Sequence, residues 1–201
     1  MKKIDKTILF STEYYQWQRN LPIPHPKKSQ YYIDVFMELM HCQDGLCAYT
    51  EKQLCFDADW YTEKNWKDSS YVTFKKKPCA GDLEHFDSTL KEQEYWKWEN
   101  LFVADHECNN KKGRKQVDYI LKPDCPNYDP FVLLEYNRET HFYHPNREKT
   151  TEEKKRIQYM IDTLELNHLN LVAERKGIIE KTLQYNTEEK QFPTAFKMIE
   201  K

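Results

Sequence analysis

The sequence predicts an α+β fold in which a mainly helical frame surrounds a small hairpin-plus-helix core. Three observations carry that prediction. Only four glycines occur among 201 residues, too few for an all-β architecture with many tight turns. Apolar residues recur at helical spacing near both ends of the chain. Between them, two short segments, Leu83–Phe86 and Leu101–Ala104, precede a helix start near His106 or Glu107.

The elements follow in order. The opening stretch has lysines but only a three-residue apolar run, so it is not expected to act as a secretory signal. Pro22, Pro24 and Pro26 break regular structure and mark a connector. From Ser29, the residues Tyr32, Val35, Phe36, Leu39 and Met40 recur at helical spacing, and Gly45 follows as a stop. A helix over about 29–43 is therefore expected. The central core is expected over about 42–117. Beyond it, a segment with four prolines and many aromatics reads as a loop plus a short hairpin, FVLLEY then THFYH. Thr150 and Glu153 form a capping box ahead of Ile157, Met160, Ile161 and Leu164. A further helix is expected from Leu169 to Tyr185, with Val172, Ile179 and Leu183 on one face, so that C-terminal helices occupy about 150–186. One domain over residues 1–201 accommodates all of this.

Composition narrows the function. Apolar residues are 39% and charged residues 32%, which suits a moderate core under a wet surface. No segment approaches the run of about 18 apolar residues that a membrane span needs. Six cysteines without a regular framework point to a reducing, cytoplasmic setting. The formal net charge is -2, whereas a chain that holds nucleic acid alone usually carries a basic excess. Basic residues are local instead: Lys75, Lys76 and Lys77 before the central segment, and Lys111, Lys112, Arg114 and Lys115 after it. Such runs are commonly solvated surface. Their position on both sides of one segment favours contact with phosphate, with another subunit helping to hold the substrate.

That segment, Gly81 to Gly113, carries the chemistry. Leu83–Phe86 reads as a strand end with His85 turned into a site, and histidine takes a proton from water near neutral pH. Glu84 can supply a hard oxygen ligand to a divalent ion. Asn100 opens a second strand, and its amide can bind loop backbone and so hold His85 in place. The helix that follows presents Asn109 in its first turn, where a carbonyl oxygen can complete the metal site. A base, a base-orienting amide and two oxygen ligands in this order are what a one-metal phosphodiesterase needs. Each part alone is weak; their conjunction, followed by Lys111, Lys112 and Gly113, is specific. Two other candidates read as structural. His141 and His144, three apart on an expected strand, would face opposite sides. Trp96 and Trp98 could stack on bases, but packing of the interstrand loop is the commoner fate of such a pair.

The segments Gly45–Glu51, Leu83–Phe86, Trp98–Leu101 and Cys108–Gly113 resemble an HNH endonuclease of the ββα-metal class. The similarity extends to the PtuB-like HNH proteins of Septu and retron-associated anti-phage systems. It covers about residues 30–185, including Leu164–Leu169 with Glu174 and Arg175. The resemblance implies His85 as general base, Glu84 and Asn109 as ligands of one Mg²⁺ or Mn²⁺, and Asn100 as the structural middle residue. It also implies a nucleic-acid substrate, DNA ahead of RNA, and an ABC/SMC-type, PtuA-like ATPase partner. Many relatives carry a zinc knuckle of two Cys-x-x-Cys pairs. Here Thr50 stands three residues after Cys47, and Asp105 three before Cys108. Two thiolates do not make a tetrahedral zinc site, so Cys47 and Cys108 are read as buried thiols in preference to structural Zn²⁺ ligands. The competing functional readings are an inactive HNH-like nucleic-acid-binding or assembly subunit and a stand-alone restriction or homing enzyme.

Overall fold

Helix α1, Gln30–Cys42, buries every side chain from Tyr32 to Met40. That is more than the single apolar stripe its spacing announced, and an element packed all round belongs at the centre of a fold. Two acids go under with it. Asp34 accepts the Tyr71 backbone N–H at 3.0 Å and the Ser70 hydroxyl at 3.0 Å. Glu38 accepts the Tyr71 phenol at 3.0 Å. Such bonds offset the cost of desolvating the carboxylates. The helix stops where expected. Gly45, at φ +74°, donates its N–H to Met40 O at 2.9 Å, and a Cβ there would lie 3.0 Å from Cys55 O.

The computed structural model describes residues 1–11, 30–72 and 77–200. The proline connector, Ser29, Lys75 and Lys76 lie outside them. Helices alternate with three two-stranded antiparallel sheets, making a mixed α+β fold. Strands β1 (Trp66–Lys67) and β2 (Ser70–Tyr71) pair beside α1. Strands β3 (Asp82–His85) and β4 (Leu101–Ala104) form the central hairpin, with Glu84 opposite Phe102 and His85 opposite Leu101. Helix α2, His106–Lys112, follows at once, capped by Asp105 on the Glu107 and Cys108 N–H groups. Gly81 enters β3 at φ +91°, and a Cβ there would stand 2.9 Å from Ala104 O; only glycine admits this approach.

The hairpin is tied from several sides. All four β4 residues are buried. The Gln43 amide bonds both backbone groups of Val103 at 2.9 Å, as a neighbouring strand would. Beneath, the Lys6 ammonium donates to Leu101 O at 2.6 Å and Trp98 O at 3.1 Å, while Lys122 donates to Glu99 O at 2.7 Å. Asp124 pairs with both lysines, at 3.0 Å and 2.6 Å. Cations therefore sit on the carbonyl end of the short 3-10 turn Trp98–Asn100, where its dipole favours them.

The C-terminal half departs from expectation in three places. Phe131–Leu133 is helical, within α3 (Pro130–Leu133), because Asp129 caps it and Pro130 fills the first helical position. Only Leu134–Tyr136 (β5) pairs with Tyr143–Pro145 (β6). His141 consequently lies in the turn between them at φ +59°, not on a strand. Helix α4, Thr151–Thr163, begins at the Thr150–Glu153 capping box. Helix α5, Leu169–Tyr185, buries Leu171, Val172, Arg175 and Ile179, but it outruns the core, so Leu183 is exposed. Helix α6 is Pro193–Ile199. One hydrophobic cluster runs from Met1 to Ala195. Cys55 and Cys79 are joined by a disulfide, a pairing that their scattered spacing did not announce. Cysteine usage thus ceases to argue for a reducing compartment. Among the described residues no helix is long and apolar enough to cross a membrane.

Candidate functional site

The structure places a strand, a second strand and a helix in the order that the central segment led one to expect. Asn100 closes the 86–100 loop between the strands. Its Oδ1 accepts the Asp87 N–H at 2.8 Å, its Nδ2 donates to Asp87 O at 2.9 Å, and Phe86 N–H donates to Asn100 O at 2.8 Å. The amide spans the loop mouth one residue past Phe86, so the end of β3 and the His85 backbone are fixed from both strands.

His85 is buried at 5% exposure. Its Nε2 lies 2.8 Å from the Tyr95 carbonyl. A carbonyl only accepts, so Nε2 carries the proton and Nδ1 keeps a free lone pair. Burial pushes the ring's pKa down to about 4; the Tyr95 carbonyl pulls upward, while Lys91 and Lys112 push further down. The imidazole is therefore neutral near pH 7, the state a proton acceptor needs. The Tyr95 ring packs at 4.7 Å from it.

Glu84 is also buried, at 6% exposure. Burial raises its pKa, opposed chiefly by Lys112. Lys112 Nζ stands 2.6 Å from Glu84 Oε1 and donates a hydrogen bond to His85 O at 3.0 Å. The buried ammonium is both the charge partner and a hydrogen-bond donor of the carboxylate. Glu84 and His85 share the same two cationic neighbours, Lys91 and Lys112, so the structure brings them into one locality. Asn109 is half-buried on α2, one turn before Lys112. Of these two residues it is Lys112 that reaches β3.

The Glu84 carboxylate and the Asn109 amide carbonyl are oxygen groups of the kind Mg²⁺ and Mn²⁺ take, but the carboxylate is already paired with the Lys112 ammonium. Among the described residues no group of three or more His, Cys, Asp or Glu is placed to hold a metal.

The basic residues divide. Lys112, expected on phosphate, is fully buried, because its stem runs along the buried stripe of α2 that also carries Cys108, four residues earlier. Lys111 pairs with Glu107 at 3.0 Å and Lys115 with Glu165 at 3.6 Å. Both keep partial exposure, and Arg114 is exposed. Lys77 binds Gly81 O and Asp82 at the foot of β3. Sequence reading missed Lys91, whose exposed side chain lies 5.7 Å over the Tyr95 ring and acts on both Glu84 and His85. Nothing in a lone lysine on a loop announced it; only the fold of the 86–100 loop brings it there.

Cys47 and Cys108 are both buried and hydrogen-bonded to each other. Cys47 Sγ accepts the backbone N–H of Asp105 at 3.2 Å and of Thr50 at 3.4 Å. Burial alone would raise its pKa, but these bonds together bring it down to about 6. The Cys108 thiol is held well above its ordinary value by the bond to Cys47 and by burial, and its one proton is shared between Cys47 and Leu164 O, which lies 3.2 Å away. Thr50 and Asp105 thus contribute backbone N–H groups to the thiol pair. Trp96 and Trp98 are buried. His141 Nδ1 bonds the Tyr136 phenol at 2.8 Å, while His144 is exposed on β6, so the two histidines form no common site.

No family model matches the chain, and no curated protein matches it.

Proposed function

We propose that this chain is a metal-dependent HNH-type endonuclease that cleaves nucleic-acid phosphodiester bonds. The observation that carries the reading is His85: a neutral, buried imidazole whose Nε2 is tied to the Tyr95 carbonyl, which makes Nδ1 the accepting nitrogen. In this reading Nδ1 takes the proton from the attacking water, and Asn100 fixes the loop that aims the ring. Glu84 and Asn109 would hold one Mg²⁺ or Mn²⁺. When bound, that ion neutralises the scissile phosphate and stabilises the leaving oxygen. Lys91, Lys111, Arg114 and Lys115 lie in or just beyond the elements that form the site and would meet the substrate backbone. DNA is the favoured substrate, and a PtuA-like ABC/SMC-type ATPase the favoured partner, with the pair acting as an intracellular anti-phage complex. The resemblance supports partner and setting, and the slightly acidic chain supports the need for help in holding substrate.

The second reading, an inactive HNH-like binding or assembly subunit, draws on the burial of Glu84 and His85 and on the lysine lodged against the carboxylate. One experiment separates them. His85→Ala, assayed for divalent-dependent cleavage in the complete complex, is expected to lower turnover by roughly 10²–10⁴-fold while substrate affinity holds. Melting temperature and elution volume are measured alongside. Folded His85→Ala protein cutting at the wild-type rate would transfer the case to the assembly subunit.

A further inference from the structure

Two thiols stand outside the chemistry proposed above. Cys47 lies in the turn after α1 and Cys108 on the buried stripe of α2, yet their sulfurs are hydrogen-bonded to each other. Both are free cysteines, separate from the Cys55–Cys79 disulfide. Sulfurs that meet in this way have side chains directed at one another, which is what a disulfide requires. Their surroundings are unequal. Cys47 Sγ accepts two backbone N–H groups, from Asp105 at 3.2 Å and from Thr50 at 3.4 Å. Fixed donors of that kind stabilise negative sulfur, the nucleophilic form. The Cys108 thiol keeps its proton, between Cys47 and Leu164 O.

A cleft of about 30 Å³ reaches this pair. Its wall includes Cys108 itself, together with Thr50 and Asp105, the two residues whose N–H groups hold Cys47. A water molecule takes up about 30 Å³ in the liquid, so the cleft admits a molecule about as small as hydrogen peroxide and little more.

We propose that Cys47 and Cys108 form a peroxide-sensitive modification site, a reversible disulfide that clamps α2 to the turn Cys47 opens. Cys47 thiolate attacks one peroxide oxygen and the O–O bond breaks. Cys47 becomes a sulfenic acid, and the departing hydroxide takes the Cys108 proton to form water. Cys108 sulfur then attacks Cys47 sulfur, the S–O bond breaks, and the second hydroxide is protonated from solvent. Two thiols are oxidised to a disulfide while one peroxide is reduced to two waters. The bond would join α2 to a turn already closed by the Cys47 N–H on Lys52 O at 2.8 Å. The inference does not depend on the nuclease reading.

The test exposes the folded full chain, without reductant, to a small excess of hydrogen peroxide, then maps disulfides by non-reducing peptide mass spectrometry. A Cys47–Cys108 peptide is expected to appear, and to open again in dithiothreitol. Cys42, whose thiol burial pushes up to about 12, is the internal control and is expected to stay reduced. Cys108→Ser is expected to stop at a Cys47 sulfenic acid that dimedone traps, and Cys47→Ser to leave Cys108 reduced. The linked chain is expected to melt roughly 5–15 °C higher than the unlinked one. Wild-type Cys47 and Cys108 that stay reduced until Cys42 is oxidised, or a sulfenic acid that never closes to the disulfide, overturn the site. A linked chain that melts no higher overturns the clamp. An equal rate with tert-butyl hydroperoxide, too bulky for the cleft, overturns the cleft as the route of entry.

Discussion

Asn100→Ala tests the way the hairpin is closed, independently of any catalytic claim. The amide makes two bonds to one residue, at 2.8 Å and 2.9 Å to the Asp87 N–H and C=O. Truncation leaves both backbone groups without their partner, and an unsatisfied buried group costs about 1–3 kcal/mol. Asp87 is only half-buried, so water can reach part of the vacated space and the low end applies to each group. The expected loss is therefore about 2–3 kcal/mol, measured by urea unfolding, with faster hydrogen exchange concentrated at Phe86 and Asp87. Asn100→Asp sharpens the test. It keeps the acceptor for the Asp87 N–H but turns a carboxylate against the Asp87 carbonyl, so the loss should be larger near pH 7. The introduced carboxylate has a raised folded pKa, so this extra loss shrinks as the pH falls and the protonated acid can donate again. An Asn100→Ala variant within about 0.5 kcal/mol of wild type, the usual range for an inert surface change, would refute the loop-closing role.

Three further outcomes are expected. His85 has a folded pKa of about 4 against about 6.5 unfolded, so the unfolded chain binds the extra proton between those values and stability falls as the pH drops from 6.5 to 4. The loss approaches about 3 kcal/mol, and the difference between wild type and His85→Gln in urea titrations across that window isolates it; parallel curves would contradict the buried neutral ring. Thiol titration in denaturant without reductant is expected to find four reactive cysteines of six, since Cys42, Cys47, Cys108 and Cys125 are free and Cys55–Cys79 is bonded; six would remove the disulfide. Reversal of Lys91, Lys111, Arg114 and Lys115 to glutamate is expected to weaken nucleic-acid binding by the complex and flatten its salt dependence. An unchanged slope would return these residues to ordinary solvated surface.

The sequence made visible what depends on local chemistry. The capping box at Thr150 and Glu153 and the stop at Gly45 both rest on groups acting within a few residues of themselves. The bonding of Asn100 to loop backbone was legible too, because an amide beside a strand start has few other uses. What stayed hidden depends on long-range packing. Whether Lys112 meets phosphate or turns inward is decided by a carboxylate 28 positions earlier in the chain, and its neighbours Lys111 and Lys115 give no hint of the difference. Lys6 and Lys122 lie far from the hairpin in sequence, yet both end on its carbonyls. The helical start of FVLLEY was overridden by Asp129 and Pro130, whose capping chemistry outweighs the strand preference of Phe131 and Val132.

The buried charges also bear on how the proposed nucleic-acid substrate would be held. Lys6, Lys112, Lys122 and Arg175 are buried, and so are Asp34, Glu38, Glu51 and Glu84. Among the described residues four basic side chains leave the surface against four acidic ones, so their burial leaves the balance of exposed charge unchanged. Within the central basic run the loss is one-sided, because Lys112 goes inward and two of the remaining residues carry glutamate partners. Local attraction to phosphate is thus weaker than the run of Lys111 to Lys115 implies on paper. If the proposed nuclease reading holds, such a chain gains little affinity for nucleic acid from its own charge, and substrate would have to be brought to the hairpin by contacts made elsewhere.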